Sequence, residues 1–268
     1  MTAILACLCA ELRIGRLTPG TPAVRKISPM RDDTLAVEAN GICRRYGRRW
    51  ALIDVSLQVP RGTVLLVAGR NGSGKSTLLR TLSTAIRADR GSARIEGYDL
   101  RRDTEAVRHR IALLTHHLHL YDSLTALENL QVAARFLGRD DDRRALVPLL
   151  AEVGLEERAD DVPATFSAGM RKRLGLALVL AQEASVVFLD EPYGQLDPPG
   201  FRLVDRLLET LRKRRATVLV ATHLIERTSP LCDEALVLEA GRLAWAGPAG
   251  DLVSKGGIDV AGLPEGAA

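Results

Sequence analysis

The sequence predicts an α/β fold built around a parallel sheet, and three observations lead there. First, Val64-Leu65-Leu66-Val67-Ala68, Val186-Val187-Phe188-Leu189 and Val218-Leu219-Val220-Ala221 are short, continuous apolar runs of strand size, the pattern of strands buried on both faces. Second, the stretches between them carry apolar residues at helical spacing, so strands alternate with helices. Third, a glycine-rich run opens a helix directly after the first of these strands, as expected of a loop at a sheet edge.

In chain order, residues 35–57 read as antiparallel strands: Leu35 to Ala39, a turn near Tyr46-Gly47, then Ala51 to Val59. Pro60-Arg61-Gly62 is a turn before the first buried strand, and the glycine-rich run leads into a helix expected over 75–85. Ile111-Ala112-Leu113-Leu114 is a further strand. Residues 124–180 are expected to be mostly helical, on the spacing of Leu127, Leu130 and Phe136, of Leu146, Leu150 and Val153, and of Leu174, Ala177 and Ala181. Leu236-Val237-Leu238, Gly241 and Leu243-Ala244-Trp245 read as a terminal hairpin.

The 268 residues, 46% hydrophobic and 26% charged, suffice for one large domain, expected over 34–254. Residues 1–33 are expected to be a disordered tail, with Met30 a candidate start just before the first strand, and 255–268 a second tail. The apolar run over residues 4–10 is short and lacks a preceding basic residue, unlike a secretory leader. No stretch reaches the roughly 20 apolar residues of a spanning helix. The net charge of +4 comes mainly from arginine, and runs such as Arg171-Lys172-Arg173 and Arg212-Lys213-Arg214-Arg215 read as a solvated face. Aromatics make up only 4%, which argues against a base-stacking surface, so no nucleic-acid partner is expected. Four scattered cysteines fit neither a disulfide framework nor a four-ligand zinc site.

Gly69-Arg70-Asn71-Gly72-Ser73-Gly74-Lys75-Ser76, followed by Thr77, matches G-x-x-x-x-G-K-[ST] between a strand and a helix. Glycines let backbone N–H groups turn inward around phosphate oxygens, and the helix N-terminus adds its positive end. Lys75 can reach the β- and γ-phosphates of ATP and the Ser76 hydroxyl can ligate Mg²⁺. Asp190 and Glu191 close the second buried strand, at the edge where open parallel sheets bind ligands. Asp190 suits Mg²⁺ and Glu191 suits the water that attacks the γ-phosphate. His223, after the third buried strand, can bond that phosphate and that water.

Together these residues resemble the ATPase domain of ABC transporters. Phe166-Ser167-Ala168-Gly169-Met170 looks like that family's Leu-Ser-Gly-Gly-Gln signature: Ser167 and Gly169 match, whereas Phe166, Ala168 and Met170 depart. Gly194-Gln195-Leu196-Asp197 resembles the family's following loop, and Tyr46 stands where the family has an adenine-stacking aromatic. The resemblance implies a P-loop NTPase with a RecA-like core, an antiparallel β side-sheet and a helical subdomain near 118–183. It implies an ATP-sandwich dimer joining residues 69–77 of one copy to Ser167 and Gly169 of the other, and docking on multi-span membrane permease subunits at the cytoplasmic face of the inner (plasma) membrane. In Thr115-His116-His117-Leu118-His119, His116 falls on the family's loop glutamine, a metal-site position, and His117 beside it. The histidines also raise a haem- or metal-site reading. With the run 124–130 and Met170-Arg171-Lys172-Arg173, they make the chain similar to the ATP-binding subunit of the cytochrome c biogenesis haem exporter. ATPases of drug, sodium or polysaccharide exporters share much of the pattern. A soluble ABC ATPase acting on nucleic acid or the ribosome is the competing class, and a regulatory ATP-binding module of little turnover a third.

Overall fold

The computed structural model describes residues 35–116 and 118–254, so the two tails and His117 lie outside the described residues. The elements are β1 (Leu35–Tyr46), β2 (Arg49–Pro60), β3 (Val64–Ala68), α1 (Lys75–Leu82), β4 (Arg90–Ile95), β5 (Tyr98–Asp99), α2 (Thr104–Arg108) and β6 (Ile111–Leu114). They continue with α3 (Ala126–Phe136), α4 (Arg143–Glu152), α5 (Ala168–Ala181), β7 (Val186–Asp190), α6 (Pro198–Lys213), β8 (Thr217–Ala221), α7 (Ile225–Thr228), β9 (Glu234–Glu239), β10 (Arg242–Pro248) and α8 (Ala249–Ser254).

Two sheets form. The larger runs β10-β9-β3-β8-β7-β6. Its five strands from β9 to β6 are parallel, and β10 closes the edge as the antiparallel arm of the terminal hairpin. The smaller sheet, β2-β1-β4-β5, is antiparallel. Both faces of the larger sheet are buried, and the side-chain period of two sorts its residues. Leu66, Val187, Leu189, Val218 and Val220 join the core formed with α3, α4, α5 and α6. Leu65, Val67, Val186, Phe188 and Leu219 join the core formed with α1 and the smaller sheet. That two-sided burial explains why these strands read as unbroken apolar runs rather than alternating ones.

Two expectations need correction. The helix after the glycine-rich loop stops at Leu82 rather than reaching residue 85: Ser83 leaves helical geometry and Thr84 takes a φ of 61°, a left-handed conformation that ends a helix. The basic run at 171–173 is not a solvated face. Lys172 is only 2% exposed, Arg171 bonds Asp122 and the Pro163 carbonyl, and Arg173 bonds Asp197.

Candidate active site

The sheet order sets the site. β8 lies between β3 and β7, so the C-terminal ends of these three strands deliver the glycine-rich loop, residues 222–223 and Asp190-Glu191 to one edge. In the loop, Gly69, Gly72 and Gly74 have φ of 141°, 79° and 110°, which side-chain-bearing residues rarely adopt. Space forbids a side chain at two of them. A Cβ on Gly69 would run into the Leu238 carbonyl, and one on Gly74 would lie 2.5 Å from the Ala51 carbonyl oxygen. Gly241, in the β9–β10 turn, donates its N–H to the Ser73 carbonyl at 3.0 Å and accepts from Ile53 N–H at 2.7 Å. The loop is thereby clasped by β2 and the last hairpin together.

Lys75 folds back over the loop, donating to the carbonyls of Gly69 at 2.7 Å and Arg70 at 3.1 Å. Burial holds its ammonium below the usual lysine range, while Glu191 and Asp190 pull the other way. The Ser76 hydroxyl donates to Asp190 Oδ1 at 2.8 Å. Asp190 is 4% exposed, and burial raises its carboxyl above the ordinary range against the opposing Ser76 bond. A hydroxyl and a buried carboxylate held together are hard oxygen donors of the kind Mg²⁺ selects, so the donor set fits that ion.

Glu191 continues past β7 with a left-handed backbone, φ 48°, a strain of roughly 1–3 kcal/mol for a side-chain-bearing residue. The sheet holds it there: Asp190 pairs with Ala221, and Glu191 N–H donates to the Ala221 carbonyl at 2.8 Å. His223 Nδ1 bonds Glu191 Oε2 at 2.9 Å. The structure thus brings together Lys75, Ser76, Asp190, Glu191 and His223.

The remaining residues sit at three other places. Tyr46 ends β1, half-exposed, with the Arg44 guanidinium 4.9 Å above its ring; across the turn it pairs with Arg49 at the start of β2, the strand that carries Leu52, against which Gly74 packs. Ser167 caps α5, accepting from Met170 N–H at 3.2 Å. A Cβ on Gly169 would lie 3.3 Å from the Gln195 carbonyl, so this helix start adjoins the loop after Glu191. Phe166 is buried in the core and Met170 packs against it, which accounts physically for two apolar departures from the signature. His116 is exposed, two residues past β6. Among the described residues no group of three or more His, Cys, Asp or Glu is arranged to hold a metal.

Sequence reasoning missed Lys172. Its pKa is pushed down to about 8 by burial, against the attraction of Asp190 and Glu191. Helical spacing carried the signal, since Lys172 stands four and seven residues before Leu176 and Val179, both buried.

The model of the ABC transporter family matches residues 52–194. A daunorubicin resistance ATP-binding protein of Streptomyces coeruleorubidus is 39% identical over 226 residues, spanning 84% of this chain and 72% of the relative. A methionine import ATP-binding protein of Rhizobium johnstonii is 33% identical over 234 residues, spanning 85% and 65%. Among solved structures, the ATP-binding subunit of an ABC transporter superposes with a TM-score of 0.76 at 30% identity, over 82% of this chain and 92% of that one. A dimeric ATP-binding cassette in a post-hydrolysis state with ADP and Pi gives 0.73 at 25% identity, over 80% and 98%.

Proposed function

Because the chain belongs to the ABC transporter family, as an ATP-binding and ATP-hydrolysing subunit, we propose that it powers a drug exporter whose transport path is supplied by separate multi-span membrane subunits. The carrying observation for the cargo class is the 39% identity to a daunorubicin resistance protein. Methionine import relatives match at lower identity and over less of their length. Drug export therefore replaces haem export as the preferred reading, and His116 loses its weight as a marker of the haem exporter.

In the proposed cycle Lys75 exchanges the Gly69 and Arg70 carbonyls for β- and γ-phosphate oxygens, while the backbone N–H groups of residues 69–77 cradle the rest. Tyr46 stacks on the adenine. Ser76 and Asp190 would hold Mg²⁺, which when bound would supply positive charge to offset that developing on the phosphates. Glu191 accepts a proton from the attacking water, and His223, bonded to Glu191, orients that water. Ser167 and Gly169 of a second copy close the site with the N-terminus of α5; the dimeric form of a similar cassette supports this arrangement. His116 stands in for the loop glutamine.

The membrane subunit would dock beside His116, on a unit comprising about residues 118–183. A groove of 470 Å³ there is lined by Leu118, Tyr121, Val132, Phe136 and Leu178, and Phe136 is 78% exposed. Such an apolar concavity suits an amphipathic helix. No helix among the described residues is long and apolar enough to cross a membrane.

Co-expression with the multi-span products of any neighbouring genes tests the reading. Cells should accumulate less daunorubicin, and Lys75→Ala should abolish the difference, with haem attachment to c-type cytochromes unaffected. Daunorubicin accumulation indifferent to the chain and to Lys75 would refute drug export.

A further inference from the structure

Two segments carry the hydrolytic pair. Glu191 begins the loop that leads to α6, and His223 begins the loop that leads to α7. Near the strands they are joined by the Glu191 N–H bond to Ala221. Beyond the strands, α7 has only four residues, Ile225–Thr228, too short to stand without tertiary anchors. The anchors converge on one carboxylate. Tyr193, two residues after Glu191 and 2% exposed, donates its hydroxyl to Asp205 Oδ1 at 2.9 Å. Arg227, four residues after His223, donates Nε to the same oxygen at 3.3 Å and Nη2 to Asp205 Oδ2. The Tyr193 ring meets Phe201 edge-on, with centroids 5.7 Å apart, and the Arg227 guanidinium covers both rings at 5.8 and 5.4 Å.

We propose that Tyr193, acting through Asp205 and Arg227, is a positioning residue that holds His223 in register with Glu191. The inference rests on the roles given above to Glu191 and His223. With the cluster intact, α6 is a fixed post to which both loops are tied, so the strained backbone of Glu191 and the exposed imidazole of His223 keep their 2.9 Å contact. Without the tyrosine hydroxyl, Asp205 still pairs with Arg227, but the Glu191 loop loses its tie and the pair loosens. ATP binding, made by the glycine-rich loop, is untouched.

A double-mutant cycle decides this. ATP turnover is measured against ATP concentration for wild type, Tyr193→Phe, His223→Ala and the double variant, with melting temperatures alongside. Tyr193→Phe should lower kcat at least about ten-fold, the worth of one hydrogen bond to a charged acceptor, at unchanged KM, and should cost nothing further in the His223→Ala background. Asp205→Asn should repeat the pattern if Tyr193→Phe folds poorly. An equal fold-loss in both backgrounds, or a lowered melting temperature with unchanged kcat, would overturn the positioning role. His223→Ala with wild-type turnover would instead remove the reading of the site on which the inference stands, and the inference with it.

Discussion

Lys75 and Asp190 are buried charges whose surroundings oppose them, and that opposition is what a substrate can relieve. Burial pushes Lys75 down and Asp190 up, while each makes only the local bonds that the loop offers. A triphosphate offers Lys75 anionic oxygens in place of neutral carbonyls, a stronger bond in a desolvated site. Tyr46 contributes one ring face at the rim. Lys75→Ala should therefore abolish ATP binding, whereas Tyr46→Ala should weaken it by about 1–3 kcal/mol, the worth of base–aromatic stacking. Titration with a fluorescent ATP analogue measures both, and equal losses would contradict the ranking. At this scale the site was legible in sequence where its chemistry is local: residues 69–77 are contiguous, and Asp190-Glu191 ends an unmistakable apolar strand. Tyr193, Asp205 and Arg227 were not legible, because three segments far apart in sequence must fold before they meet. Lys172 was obscured by its flanking arginines, which made a buried lysine look like part of a charged face.

Among the elements, α5 links the signature segment to the acidic strand end. Its N-terminus is capped by Ser167, its first turn abuts the 191–197 loop, and Lys172 points the field of a buried ammonium at Asp190 and Glu191. The folded chain releases the Lys172 proton near pH 8, the unfolded chain near 10.5. Between those values the unfolded state binds more protons, so the contribution of this group to stability rises with pH across that window and is level below it. Lys172→Met, of similar length, removes the titration. Melting temperatures at pH 8 and pH 10 should thus move in the wild type's favour relative to the variant as pH rises; the opposite drift would contradict the burial argument. Elements with a buried apolar signature were legible, including the three central strands and the terminal hairpin. β4 was missed because only Ala93 and Ile95 of Arg90-Gly91-Ser92-Ala93-Arg94-Ile95 are buried, too little alternation to mark a strand. α1 was overextended because Ser83 and Thr84 break it through backbone conformation, which residue spacing does not register.

For the whole molecule, the family was legible because motifs far apart in sequence agree on one architecture, whereas the cargo was not, because on the proposed reading it is bound by membrane subunits outside this chain. The net charge of +4 offers a weak electrostatic route to a membrane, while the apolar groove beside Phe136 offers a protein docking route. The two separate in salt, since exposed charge pairs are screened within about 8 Å at physiological ionic strength and within about 3 Å at 1 M. Membranes from cells carrying the partner subunits should retain the protein through a high-salt wash; complete release at moderate salt would contradict docking on a protein partner. The central claim is that Glu191, held at the strand end and bonded to His223, drives hydrolysis within an ATP-sandwich dimer. Glu191→Gln tests it most directly, with turnover and size-exclusion chromatography measured on the same sample in ATP and Mg²⁺. The account predicts retained ATP binding, turnover slowed at least about 100-fold, the usual worth of a positioned base, and accumulation of a nucleotide-bound dimer. Turnover within a few-fold of wild type, with the chain eluting as a monomer, would contradict it.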